Sequence, residues 1–118
     1  MSNSAIENDD NVLCVSSVYE QKYYFNKRFA KLPEIIQNEL QIMCVMFTEE
    51  VGGELILEFD EDGTLLLKVS CDEGDILYDD ISSGLKIRQI QRDNNELFEQ
   101  LEQFYKAFCM ENGERSNG

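Results

Sequence analysis

The stretch ELILEFDEDGTLLLKV, residues 54–69, decides the fold. Its acids Glu58, Asp60 and Asp62, followed at once by Gly63, match the opening of an EF-hand calcium loop, while the leucines around them alternate as in a strand. The two readings make different demands. With Glu58 as the first ligand, the twelfth position of the loop is Val69, where a bidentate Glu is required, and the ninth is Leu66. An EF-hand also needs a helix on each side, and the run after Gly63 has a period of two. The stretch is therefore a β-hairpin with acids outside and leucines inside.

The register follows from the loop. A two-residue turn at Asp62-Gly63 would set Leu57 opposite Lys68 and put one apolar face into water. A three-residue loop, Glu61-Asp62-Gly63, pairs Asp60 with Thr64, Phe59 with Leu65, Leu57 with Leu67 and Leu55 with Val69. That loop is a type I turn closed by a left-handed glycine and a bulge, which assigns Gly63 its place. The strands are expected at about 54–59 and 64–71. What remains of the metal reading is a weak, open divalent-cation site in which Asp60 and Asp62 meet the acids of residues 72–80.

Upstream of the hairpin, Ile36, Leu40, Met43, Phe47 and Val51 recur at helical steps, and Ile35, Ile42, Cys44, Val45 and Met46 widen the stripe. So broad an apolar surface predicts a central helix over about 33–51, covered on more than one side. Pro33 suits its first turn, Glu34 favours its N-terminus, and Gly52-Gly53 ends it. Residues 11–18, NVLCVSSV, are β-branched enough for a short N-terminal strand, although no alternation assigns its faces.

Downstream, Ile76, Leu77, Tyr78, Ile81 and Leu85 favour a helix over a brief strand, despite Ser82-Ser83-Gly84. Asp93 and Glu96 then have capping-box spacing. Leu97, Leu101, Phe104, Tyr105 and Phe108, with Phe98 beside them, predict an amphipathic helix to about Met110, stopped by Asn112-Gly113.

Composition narrows the chemistry. With 118 residues and 42% apolar content, the chain has enough core-forming material for one domain. Residues 1–10 and 112–118 are polar and are expected to be disordered, with a single α+β domain over 11–111. The opening residues carry no basic stretch followed by an apolar one, and the longest apolar run, IMCVMF at 42–47, is too short to span a bilayer, so no secretory signal and a cytoplasmic location without membrane contact are expected. Cys14, Cys44, Cys71 and Cys109 form no CxxC pair and read as reduced, mostly buried thiols rather than a zinc site.

The chain contains no histidine, which excludes Ser–His–Asp, Cys–His and histidine-ligated zinc chemistry. Carboxylate pairs arise by chance on a surface with 24 acids, so no catalytic residue is assigned and a non-enzymatic role without a cofactor is expected. Net charge is −14, and residues 49–80 hold twelve acids against Lys68 alone. That region repels phosphate backbones and anionic membranes, so direct nucleic-acid binding is not expected, whereas mimicry of nucleic acid toward a DNA-binding protein is an alternative. The one locally basic stretch is YEQKYYFNKRFAK, residues 19–31. Its aromatic and basic residues read either as cover for the core and a charge balance to the acids, or as a partner-binding patch in which Tyr23, Tyr24, Lys27 and Arg28 supply the anchors.

YEQKYYFN, the helix tail CVMFTEEVGGE, the turn FDEDG, the YDDIS stretch and the segment ELFEQLEQFYKAF together resemble a family of short bacterial proteins of clostridia-like lineages, a domain of unknown function, over about residues 14–108. The resemblance implies a one-domain protein and carries no activity, ligand or site residue. In size, charge and helix–hairpin–helix order the chain is also similar to the small acidic α+β chaperones of secretion effectors.

The expected architecture is thus α+β: a short N-terminal strand, a central helix, an antiparallel hairpin and one or two C-terminal helices on its apolar face. A two-stranded sheet is marginal alone, which favours a homodimer that extends it or buries the amphipathic helices. The expected function is a protein-binding or interaction module of adaptor, chaperone-like or regulatory type, with an unidentified protein partner. The alternative is a divalent-cation-responsive protein.

Overall fold

The computed structural model describes residues 11–110. The expected frayed ends, at 1–10 and 112–118, and the helix stop at Asn112-Gly113 lie outside the described residues, as does the side chain of Cys109. In chain order come β1 (Val12–Ser17), β2 (Lys22–Phe25), a 3-10 turn (Lys27–Phe29), α1 (Glu34–Val51), β3 (Glu54–Phe59), β4 (Leu65–Ser70), α2 (Asp80–Asp93) and α3 (Asn95–Tyr105), which runs into a π turn (Lys106–Met110). Among the described residues no helix is long and apolar enough to cross a membrane. The α+β architecture is as expected, with a larger sheet.

The hairpin β3–β4 has the register derived from its loop: Phe59 opposite Leu65, Leu57 opposite Leu67 and Leu55 opposite Val69. Gly63 takes φ +85°, and the Asp60 N–H donates to the Thr64 carbonyl at 2.9 Å. Leu55, Leu57, Phe59 and Leu65 are buried. Each such side chain stabilises the fold by about 1.5–3 kcal/mol relative to exposure.

This hairpin is not alone. The sheet has four antiparallel strands in the order β2-β1-β3-β4, so the N-terminal strand lies in its interior. All six residues of β1 are buried, which is why VLCVSS shows no inside–outside alternation. A register shift between Val12 and Cys14 marks a bulge against β3. Strand β2 went unread because its connection to β1, Val18 to Gln21, lacks the Asn-Gly or Asp-Gly signal of a tight hairpin. Gln21 instead takes the left-handed conformation at φ 52°. With four strands, the marginal-sheet argument for a homodimer no longer applies.

One face of the sheet carries the core. Helix α1 crosses β1, where the Ser16 and Thr48 hydroxyls hydrogen-bond at 2.9 Å and the Cys14 and Cys44 sulfurs lie 3.9 Å apart. Toward β4 the cover comes from α3: Phe59 stacks on Tyr105 at 4.1 Å between ring centroids, and Phe29 joins them from the 3-10 turn, 5.7 Å from Phe59.

Four expectations need correction. Helix α1 buries one face only, through Leu40, Cys44, Phe47, Thr48 and Val51. Ile35, Ile42 and Met46 stay 66%, 59% and 52% exposed, because they lie opposite the sheet-facing residues and α2 reaches only the flank of α1, where Lys86 pairs with Glu50. Ile76 and Leu77 precede the next helix and are exposed. Helix α2 begins only where the Asp79 carboxylate accepts from the Ser82 N–H at 3.0 Å and the Ser82 hydroxyl at 2.8 Å.

Asp93 does not cap the last helix. It is the final residue of α2, and Asn94 makes the break, sending both its backbone N–H and its side-chain amide to the Ile90 carbonyl. The side-chain amide thus satisfies a carbonyl at the C-terminal end of α2, which leaves the following helix without a side-chain cap. Cys71, finally, is exposed in the segment after β4, whereas Cys14 and Cys44 are buried.

Candidate functional site

Strand β2 and helix α1 diverge at the end of the sheet and leave a cleft of about 480 Å³ between them. That volume is within the range of small-molecule and peptide pockets. One wall is the end of β1 and the start of β2, with Ser16, Ser17, Gln21 and Tyr23. The other is α1, with Gln41, Val45, Thr48 and Glu49; Lys22 stands at the rim. The lining offers amides, hydroxyls, one cation and one carboxylate. It supplies hydrogen bonding in both directions and no nucleophile–base pair.

Beneath this cleft is an unusual polar group. The Tyr23 hydroxyl is buried without a hydrogen-bond partner among the described residues. Burial, with Cys14 and Cys44 beside it, pushes its pKa far above the phenolic range, so the side chain is neutral at every physiological pH. Cys44 is likewise held protonated, first by its contact with Cys14 and then by burial.

The cleft borders an open sheet edge. The Asn26 N–H donates to the Leu13 carbonyl at 3.0 Å. Antiparallel alternation carries that bonding to Tyr24 and Lys22, so the N–H and C=O groups of Tyr23 and Phe25 face outward. Among the described residues no backbone hydrogen bond from outside the sheet reaches them. The opposite edge is treated differently. On β4 the outward groups are those of Leu65, Leu67 and Val69, and the Leu65 N–H is occupied by the Glu102 carboxylate at 2.8 Å.

The residues singled out in the sequence are distributed across this geometry. Tyr23 and Tyr24 are adjacent on β2, so the strand sends their side chains to opposite faces of the sheet. Tyr23 packs against the core and lines the cleft; Tyr24 stands beside Val15 on the other face. Lys27 and Arg28 are exposed in the 3-10 turn that follows, where the Asn26 side chain accepts from the Arg28 N–H. The four do not form one continuous patch. Gln41, Thr48 and Glu49 were missed, since nothing in the helical periodicity of α1 tells which of its polar residues a strand will face; Lys22 lies in the basic stretch but not among its expected anchors.

Asp60 and Asp62 are not brought to the acids of residues 72–80. The Asp60 carboxylate accepts from the N–H groups of Asp62 and Thr64, at 2.8 and 3.0 Å, and so closes its own turn. Asp72 and Asp75 lie at the other end of the hairpin, where the Tyr19 hydroxyl donates to Asp75 and accepts from the Asp72 N–H. Among the described residues no group of three or more Cys, Asp or Glu side chains is arranged to hold a metal ion.

A model for a family of unknown function (DUF6145) matches residues 10–113, a span that takes in the sheet, all three helices and the cleft. No curated protein and no solved structure matches the chain.

Proposed function

We propose that this chain, which belongs to the family of unknown function DUF6145, is a cytoplasmic, non-enzymatic protein-binding module whose partner enters the cleft between β2 and α1. The observation that carries the reading is the juxtaposition of that cleft with the open edge of β2. Backbone groups that seek partners stand beside a trough that can hold side chains. The polar lining supports recognition by hydrogen bonds, and the absence of histidine argues against general-base chemistry there.

The test is a differential recovery. Gln41 is exposed on the cleft wall, so Gln41→Trp fills the trough without touching the core. A protein recovered from the native cytoplasm by the unaltered chain should be lost by Q41W while the melting temperature stays the same. Recovery of the same proteins by both chains would end the reading.

A further inference from the structure

The partner's chemistry can be narrowed further, on the assumption that the cleft is the binding site. We infer that the occupant is an extended, carboxylate-bearing segment of another protein, which adds to the sheet as a fifth strand along β2.

Strand addition follows from the edges. A segment laid along β2 meets two outward N–H groups and two outward carbonyls, those of Tyr23 and Phe25. Its side chains then alternate, one set entering the cleft against Gln41, Thr48 and Glu49 and the other passing over the face that carries Lys22 and Tyr24. The β4 edge differs in that Glu102 already occupies its Leu65 N–H, which leaves the outward N–H groups of Leu67 and Val69.

Charge selects the segment. The chain is net −14, yet the β2 edge carries Lys22 as its first residue, with Glu20 two positions upstream, and Lys27, Arg28 and Lys31 follow it. Lys22, Lys27 and Lys31 are exposed and make no ion pair among the described residues, while Lys68 and Lys86 are paired with Glu58 and Glu50. Glu49 is the one carboxylate lining the cleft. A second copy of this chain is a poor occupant, because antiparallel pairing of β2 with β2 brings these cations toward those of the partner copy. A segment with Asp or Glu at alternate positions meets Lys22 at one end and the cations after β2 at the other.

The experiment uses a display library of random octapeptides, selected in parallel on the full chain and on Lys22→Glu with Lys27→Glu. Both substitutions are at exposed positions and leave the fold intact, which the melting temperature checks. The expected result is enrichment of acid-alternating sequences on the native chain. A synthesised winner should then bind the double variant at least tenfold more weakly and give the Tyr23 and Phe25 amides new protection from hydrogen exchange. Enriched peptides that perturb Gln41 and Thr48 without protecting those two amides overturn strand addition and leave the cleft reading standing. Enrichment of neutral or basic peptides overturns the charge assignment alone. No enrichment over the double variant overturns the inference, and recovery by Q41W then decides the cleft reading separately.

Discussion

The hydroxyls of Ser16 and Thr48 meet at 2.9 Å inside the core, joining β1 to α1. The Thr48 hydroxyl also lies 3.3 Å from the Cys44 carbonyl and 3.1 Å from that of Val45, so it can donate to its own helix while accepting from Ser16. The two residues are therefore not equivalent. Thr48→Val strands the buried Ser16 hydroxyl and should cost about 1–3 kcal/mol, whereas Ser16→Ala leaves Thr48 satisfied and should cost about 0.5–1.5 kcal/mol. The double variant should cost less than the two singles combined, as read by urea unfolding. Strict additivity would show that the pair is not coupled.

Gly53 and Gly84 should respond in opposite directions to alanine. Gly53 has φ +70°, and a Cβ there would stand 2.5 Å from the Ser70 carbonyl oxygen and 2.9 Å from the Tyr78 ring. Gly53→Ala should lose on the order of 3 kcal/mol, since both the backbone and a strand must shift. Gly84 lies inside α2 with nothing within 4 Å of the added carbon. Gly84→Ala should gain about 0.5–1 kcal/mol through helix propensity. Thermal melts of the two variants decide both claims.

The thiols should separate by accessibility. Cys71 is exposed, while Cys14 and Cys44 are buried against each other and Cys44 is held protonated. Iodoacetamide at pH 8 should alkylate Cys71 within minutes and reach Cys14 and Cys44 only at the rate of global unfolding, as followed by peptide mass mapping. Equal rates at all three would contradict the packing of α1 on β1.

The N-terminus of α2 should weaken in acid. Hydrogen bonds from the Ser82 N–H and hydroxyl hold the Asp79 carboxyl below its ordinary value of 3.8. A depressed folded-state pKa means that the contribution is complete above the unfolded value and disappears as pH falls through the lower folded one. Between pH 5 and pH 2 the melting temperature of Asp79→Asn should therefore fall less than that of the native chain, because Asn caps without ionising. Parallel curves would show that Asp79 contributes nothing to the acid response.

Tyr19 ties the β1–β2 turn to the loop before α2. Partial desolvation and the hydrogen bond to Asp75 push its phenol up to about 12. Tyr19→Phe removes both the donor to Asp75 and the acceptor for the Asp72 N–H. Hydrogen exchange should then accelerate through residues 72–78 and remain unchanged in β3. Faster exchange in β3 as well would mean that the contact supports the sheet itself.

Local rules were sufficient wherever a physical constraint acts between near neighbours. The β3–β4 register follows from the glycine of one loop and the faces of two strands, and the limits of α1 follow from Pro33, its periodicity and Gly52-Gly53. Tertiary packing decided the rest. Strand β1 shows no alternation because strands flank it on both sides and all its residues are buried, and β2 has no tight-turn signal. The cap spacing of Asp93 and Glu96 yielded to Asn94, whose side chain was needed by the helix before it. The site is tertiary for the same reason. Gln41, Val45 and Thr48 read as unremarkable positions along a helix, and only the crossing of that helix over the sheet places them opposite β2, where the sequence by itself had marked Tyr23.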